Sequence, residues 1–476
     1  MEISVLKWLS DTKNILEIEG ESHLAYLHGQ KIHLLPHLHN NSTRYKGAFL
    51  RTIAFIKLLI FSVRFKKTSF IDKVSFLFFS GTDNQRNALR STLLELKNQN
   101  FPVLAITTQI LSKLHDNDEG YEKIYLSPLD VFKTLLIFFL RFPHLYGALK
   151  KEHPDLAVNN YFHMFLEPYI FIPYFIKLLT RVNPEVVVVS NDHNVVNRCL
   201  IAVSHYLGIR TAYMQHASVS DIFPALRFNY AFLDGMKSFE CYLDCENNSK
   251  FKSVSYPIPV VFLSGQKKDI SPCAIEKTYI GYAVNLLDSL EDIVCLLRAL
   301  VNSGLKIRLR WHPGLKSNDI RFLKKSLRGI SAVTFSDPSL ERVDDFINQC
   351  YVLVAGNSSI HLEGAILGVR CVYYELNSSR LYDYYGYVSE GIAEYAKNIE
   401  ELVSICNEDN NGYKHSEARV KAIKRYSASY ATKWQGREGK LVANTLQKLR
   451  SDIGVGDLYC VIDVDSSTFN IVNIPI

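Results

Sequence analysis

The stretch PEVVVVSNDHNVVNRCLIAVSHYLGIRTAYMQHA, Pro184–Ala217, decides the fold class. Its four consecutive valines, 186–189, leave no polar face. They read as a strand buried on both sides, which requires a parallel sheet with helices above and below. Ser190-Asn191-Asp192-His193-Asn194 supplies turn and capping residues, a helical pattern follows, and the run ending in YMQHA is the next strand. That is a β-α-β unit. A second unit lies upstream in VSFLFFSGTDNQRNALRSTLLELKNQNFPVLAIT, Val74–Thr107. There a β-branched and aromatic run ends at Ser80, Gly81-Thr82-Asp83-Asn84 turns and caps, and a helix runs to about Asn98 before a strand near Pro102.

Downstream the pattern lapses into FLSGQKKDISPCAIEK, which marks a linker around 261–276. The rhythm then restarts. TYIGYAV is a strand, Asp288–Asn302 a helix, LKIRLRW (Leu305–Trp311) a strand and Asp319–Leu327 a helix. AVTF, a helix from about Leu340, YVLVAG, the helix SSIHLEGAIL and the strand VRCVYYEL complete the alternation. Five strands interleaved with helices make a doubly wound domain. A basic helical segment from Ser416 to about Ser451 closes the chain before the alternating tail LYCVIDVDSSTFNIV. The expected architecture is α/β, with two Rossmann-like domains facing each other across a cleft. Residues 1–262 form the first, 276–415 the second, and 416–476 a closing helix and tail.

Composition narrows the function. With 47% hydrophobic residues in a chain of 476, sizeable cores are available and a disordered chain is excluded. The net charge of +6 comes from no single basic block, so nucleic acid is not an expected partner. Nine cysteines are scattered, with only Cys241 and Cys245 close together, as in a protein of a reducing compartment. The amino terminus MEISVLKWLSDTKNILEIEG carries acids where a signal peptide has a basic and then an apolar run. A cytoplasmic protein is expected, peripheral on the inner face of a membrane if its surface binds one. Three apolar, basic stretches, 49–67, 131–151 and 161–181, bear on that point. They read either as core-facing helices with snorkelling charges or as an amphipathic surface for an anionic leaflet. The first, with five basic residues and no acid, is the best candidate for the second role.

Chemistry concentrates at strand ends, where open α/β sheets bind ligands. LKIRLRW leads into His312-Pro313-Gly314, which puts Arg310 and His312 at such an end. YVLVAG ends in Gly356-Asn357-Ser358-Ser359 and enters a helix directly. Glycine permits close backbone approach, and serine hydroxyls with free helix N–H groups suit a phosphate, while Asn-Ser-Ser is equally an ordinary N-cap. His312 can donate to a phosphate oxygen. Asp192, at the end of the valine strand, can act as a base toward a sugar hydroxyl, as a nucleophile, or as a plain N-cap. Gln215-His216 and His193 are further candidates for the same cleft, and Asp288 sits on the first loop of the second domain. No HExxH pattern occurs, nor a DxD at a strand end, so no metal is expected. Neither GxxxxGK[ST] nor GxGxxG is present, which removes ATPase and dehydrogenase readings.

RWHPG followed by GNSSIHLEGAILG resembles the HP and SS motifs of bacterial GT-B glycosyltransferases that use CMP-activated acidic sugars. That group includes capsule polysialyltransferases, other bacterial sialyltransferases and Kdo transferases. The resemblance covers about 100 residues of the chain. It implies that His312 and the Ser358/Ser359 pair bind the phosphate and cytidine nucleotide, and that Glu363 bonds ribose hydroxyls. It also implies a catalytic carboxylate in the first domain. The acidic-acidic-glycine motif that carries it in sialyltransferases is absent in plain form, and Asp192 is the physical substitute. A CMP leaving group needs no metal, so no cofactor is expected beyond the CMP-sugar itself. The acceptor would be a glycan or glycolipid of capsule or lipopolysaccharide. Teichoic-acid-type CDP-polyol phosphotransferases, which share HP and SS features and a Gln-His in the first domain, are an alternative. A sugar-nucleotide epimerase and a non-catalytic nucleotide- or glycan-binding scaffold are two more.

Overall fold

A computed structural model describes residues 73–108, 120–124, 166–247, 259–376, 382–408 and 413–450, apart from a few single positions such as His193, together with isolated residues of 49–56 and 127–143 and three short strands in 463–473. Strands β1 (Phe76–Ser80), β2 (Val103–Thr107), β3 (Tyr121–Lys123), β4 (Val186–Val189), β5 (Arg210–Met214), β6 (Tyr230–Leu233) and β7 (Val260–Leu263) form the first sheet. Its order is 3-2-1-4-5-6-7 and every one of these neighbours is parallel. The valine run is its central strand, and all four valines have no exposed surface. Each fully buried valine contributes about 1.5–3 kcal/mol over an exposed one.

Helix α1 (Asp83–Asn98) starts where the sequence places it, because Thr82 Oγ1 accepts from the Gln85 N–H and Gln85 Oε1 accepts from Gly81 N. Helices α2 (Leu166–Val182), α3 (Val195–Tyr206) and α4 (Met236–Asn247) complete the first domain's described layers. Strand β6 and helix α4 lie in 218–247, a region the sequence reading leaves blank. The strand β7 occupies the first residues of the expected linker, which therefore begins at Ser264.

The second sheet comprises β8 (Tyr279–Ala283), β9 (Ile307–Arg310), β10 (Val333–Ser336), β11 (Cys350–Ala355), β12 (Arg370–Tyr373) and the short β13 (Glu394–Tyr395). Its order is 3-2-1-4-5-6 in its own numbering, again fully parallel. Helices α5 (Leu290–Asn302), α6 (Ser317–Ser326), α7 (Val343–Asn348), α8 (Ile360–Ile366) and α9 (Ile399–Asn407) connect the strands. The fold is of GT-B type, two doubly wound domains with their strand ends turned toward each other.

The closing segment forms two helices, α10 (Glu417–Tyr426) and α11 (Glu438–Arg450). Between them Ala431 and Gly436 take left-handed φ of 54° and 74°, which no helix continues through. Helix α10 packs on α4 and α8, one from each domain, and α11 packs on α1. Gly235, after β6, makes this return possible: a Cβ there would lie 2.3 Å from the Arg425 carbonyl oxygen. The seam is then tied by Ala428 N–H donating to the Asp234 carbonyl and Gln266 N–H to Ser427 Oγ. In the tail, β14 (Asp463–Val464) and β15 (Ser467–Thr468) pair, and β16 (Val472–Asn473) adds antiparallel to β7. Among the described residues no helix is long and apolar enough to cross a membrane.

Candidate functional site

A 3-2-1-4 strand order opens a crevice where the winding reverses, between the first and fourth strands. In the second domain this point lies between β8 and β11, and the loops at its mouth are 284–289 and 356–359. Asp288 Oδ2 accepts the Asn285 N–H at 2.8 Å, and Asn285 Nδ2 donates to the Asn357 carbonyl. A Cβ on Gly356 would stand 3.8 Å from Asp288 Oδ1, so the two loops meet at the glycine. Burial pushes the Asp288 carboxyl up to about 6, with the Glu375 charge adding to the rise and the Asn285 N–H opposing it.

His312 enters from the neighbouring β9 loop. Its Nδ1 accepts the Gly314 N–H at 2.9 Å, so a neutral ring carries its proton on Nε2. The imidazole is exposed at the mouth, and partial desolvation holds its pKa below the ordinary value. Leu286 and His312 both approach Gly314, which brings the β8 and β9 loops together. Pro313 is exposed beside them, and Ser358 and Ser359 are half-buried. Ser359 is the N-cap residue of α8 but makes no side-chain cap bond, while Ser358 Oγ accepts weakly from Ile360 N–H at 3.4 Å. Underneath, His361 Nε2 faces the Ala355 and Gly356 carbonyls at 3.1 and 3.0 Å. Burial holds His361 near a pKa of about 4, so it is a neutral donor fixing the end of β11.

Arg310 and Glu363 are both buried rather than exposed at this mouth. Arg310 is buried, its Nη1 donates to Ser336 Oγ, its Nη2 to the Glu341 carbonyl, and its plane lies over Phe346. It braces the β9–β10 side of the sheet. Glu363 is 3% exposed within α8, so it is not a solvent-facing helix residue.

Asp192 sits at the equivalent reversal in the first domain, between β1 and β4, and has no exposed surface. Tyr242 Oη donates to its Oδ2 at 2.6 Å, and Tyr213 stands 3.1 Å from Tyr242 Oη. Burial and the adjacent Asp192 charge push both phenols up, so they remain neutral donors. Asp192 is not among the residues lining the cavity between the domains.

That cavity holds about 420 Å³. Its first-domain wall comprises Gln215, Ser218, Ser220, Asp234, Lys237 and Cys241, at the ends of β5 and β6 and the start of α4. The opposite wall is the loop Tyr382–Gly386. Hydroxyl contacts from Ser218 to Tyr387 (2.6 Å) and from Ser220 to Tyr384 (2.5 Å) latch the walls, and Lys237 pairs with Glu390 at 2.9 Å. The Tyr384 N–H donates to Asn357 Oδ1, which joins the tyrosine loop to the Gly-Asn-Ser-Ser turn. His216 is half-buried in the same loop as Gln215. Gln215 itself braces the loop, accepting the Asp234 N–H and donating to the Ala217 carbonyl. Behind the wall, Lys267 Nζ is fully buried against Asp234 Oδ1 at 2.9 Å, Ser264 Oγ and the Gly265 carbonyl.

Asp288, His312, Gly356, Asn357 and the two serines therefore converge, while Arg310 does not join them. Sequence reasoning missed Asp234, Lys237, Ser218 and Ser220. The available signal was YAFLDG, a short apolar run ending in Asp-Gly like the other strand ends. No group of three or more His, Cys, Asp or Glu among the described residues is placed to hold a metal.

No protein-family model and no curated protein matches the chain. Solved structures do match its fold. A putative UDP-N-acetylglucosamine 2-epimerase from Listeria monocytogenes superposes with a TM-score of 0.50 at 12% identity, covering 81% of this chain and 98% of its own. The UDP-GlcNAc 2-epimerase from Methanocaldococcus jannaschii gives 0.49 at 14%, covering 78% and 99%. A glycosyltransferase from Rickettsia africae gives 0.45 at 9%, covering 79% and 100%. At 12% identity the likeness to the Listeria structure shows the two-domain GT-B-type fold and nothing finer.

Proposed function

We propose that the protein is a GT-B glycosyltransferase that moves an acidic 2-keto sugar, sialic-acid-like or Kdo-like, from its CMP ester to a surface glycan. The observation that carries this reading is the winding reversal of the second domain, where the loop 284–289 touches both the His312-Pro313-Gly314 turn, through Leu286, and the Gly356-Asn357-Ser358-Ser359 turn, through Asn285 and Asp288. A nucleotide phosphate is taken to bind there, with His312 Nε2–H and the Ser358 and Ser359 hydroxyls as donors and Asp288 for the ribose. The sugar then points into the interdomain cavity, where Lys237 supplies positive charge toward its carboxylate. An acceptor hydroxyl attacks the anomeric carbon, the bond to the phosphate oxygen breaks, and CMP departs with the electron pair, its charge met by His312. The acceptor proton must pass to a base. Both carboxylates lining the cavity are held, Asp383 by the Val388 and Ser389 N–H groups and Asp234 by the Lys267 ammonium, which leaves the half-buried His216, next to Gln215 of the wall, as the candidate base. Asp192, buried beneath Tyr242, then supports this wall.

A UDP-sugar epimerase is the second reading, favoured by what the Listeria neighbour is described as acting on. A thermal-shift series with CMP, CDP, UDP, GDP and ADP separates the two. A ligand at 100 times its Kd adds about 2.7 kcal/mol to the native state. Stabilisation by CMP without added metal is the expected result. Preference for UDP transfers the assignment to the epimerase, preference for CDP to a polyol phosphotransferase, and no response to any nucleotide leaves a scaffold.

A further inference from the structure

Tyr384 is bonded to both domains at once. Its N–H donates to Asn357 Oδ1 at 2.9 Å, in the turn at the second domain's reversal, and its hydroxyl meets Ser220 Oγ at 2.5 Å in the first-domain wall of the cavity. The turn that carries it is braced from within. Asp383 takes a left-handed φ of 49°, a costly conformation for a residue with a Cβ. Its carboxylate holds that shape by accepting the Val388 and Ser389 N–H groups at 2.9 and 2.8 Å. Tyr426 Oη donates to the Tyr385 carbonyl at 2.7 Å, and a Cβ on Gly386 would lie 2.9 Å from the same oxygen.

The contacts of this turn run in two directions. Toward the first domain, Tyr387 reaches Ser218 at 2.6 Å and Glu390 pairs with Lys237 at 2.9 Å. Behind Ser220, the Cys245 thiol donates to its carbonyl, and Cys241, one turn earlier on α4, lines the cavity. Toward the reversal, the Asn357 carbonyl accepts from Asn285 Nδ2, and the Asn285 N–H donates to Asp288. Asn357 and Ser220 belong to different domains and are joined through one residue. A turn fixed by its own hydrogen bonds carries a displacement at one end to the other.

We propose that Tyr384 is a positioning residue: it transmits the state of Asn357, in the turn read above as the phosphate site, to Ser220, and so sets how firmly the two walls of the cavity are held together. The inference rests on the functional reading for the identity of the ligand alone. A ligand at the turn and one in the cavity then tighten each other by the same factor.

Cys241 reports the link, because it is half-buried in the cavity wall, while the exposed Cys295 of α5 serves as internal reference. Labelling of the full chain with iodoacetamide is followed by peptide mass spectrometry without nucleotide. Asn357→Ala and Ser220→Ala should each raise labelling of Cys241 relative to Cys295 by about fivefold, the change in an opening equilibrium that corresponds to one hydrogen bond of about 1 kcal/mol. The double variant should label no faster than either alone, since both substitutions cut one link. Wild-type labelling in Asn357→Ala overturns the proposal, and so does a double variant in which the two effects multiply. Should Asn357→Ala misfold, Asn357→Asp and Tyr384→Phe decide. The first keeps an acceptor for the Tyr384 N–H and should label like wild type; the second loses the hydroxyl and should label faster. The opposite ranking rejects the link. CMP should slow labelling in the wild type and not in Tyr384→Phe; equal slowing in both overturns the proposal. Failure of CMP to bind counts against the donor assignment, and the nucleotide-free cycle still decides the role of Tyr384.

Discussion

The two domains share one strand order, and with it one crevice each at the point of winding reversal, yet the two crevices are filled in opposite ways. In the first domain Asp192 is sealed beneath Tyr242 and Tyr213, Asn191 Oδ1 accepts the Asn194 N–H, and Ser190 Oγ donates to the Gln85 carbonyl. In the second, the glycine at 356 leaves the mouth open, His312 is exposed, and the Ser359 hydroxyl makes no cap bond. Equal topology does not confer equal use. Side chains that complete their own hydrogen bonds turn the first crevice into structure, whereas at the second the exposed His312 ring and the Ser359 hydroxyl face the mouth without such a closure.

The comparison breaks most severely where the first domain's buried polar groups lose a partner. Lys267→Met leaves the Asp234 carboxylate buried without its ammonium, and removal of one member of a buried pair costs about 3–5 kcal/mol. Urea denaturation should show that loss; a shift below about 1 kcal/mol would mean that water already reaches Asp234 and that the wall is looser than its geometry. Tyr242→Phe is milder. It deprives Asp192 of one charge-assisted hydrogen bond, worth about 1.5–3 kcal/mol, and an unaltered denaturation midpoint would show that the first crevice is not held by this contact.

His312→Ala addresses the other crevice and should behave in reverse. The ring is exposed and bonds only within its own turn, so stability should stay within about 0.5 kcal/mol. Affinity for the stabilising nucleotide should fall about tenfold or more, as loss of about 1.4 kcal/mol requires. Calorimetric titration showing equal affinity would remove His312 from the site.

The sequence makes one of these crevices legible and misjudges the other for the same reason. Periodicity and strand-end position depend on local residues, so both β-α-β rhythms and the HPG and NSS loops are readable. Whether a strand-end acid faces a ligand depends on what folds over it from afar. Asp192 is closed by Tyr242, 50 residues later, on a helix whose mixed pattern MKSFECYLDCEN hardly announces itself. Arg310 reads as a site cation because it ends a strand, and only the fold brings Ser336 and Glu341 to its guanidinium. The interdomain wall was hidden likewise, since Ser218 and Ser220 gain their meaning from tyrosines more than 160 residues away.

The smallest expected effect is a slope. Burial raises the Asp288 carboxyl from 3.8 to about 6, so the folded chain holds this proton more tightly than the unfolded chain does. Stability contributed by the protonated acid is fully present below about pH 4 and is lost as pH rises toward 6, because the folded state must then ionise a desolvated group. Asp288→Asn removes the titration. Between pH 4 and 6 the variant's stability should decline less steeply than that of the wild type, with the two profiles running parallel above that range. Profiles that stay parallel through the whole range would mean that Asp288 is solvated in the free protein, and that the second crevice is open down to its floor rather than only at its mouth.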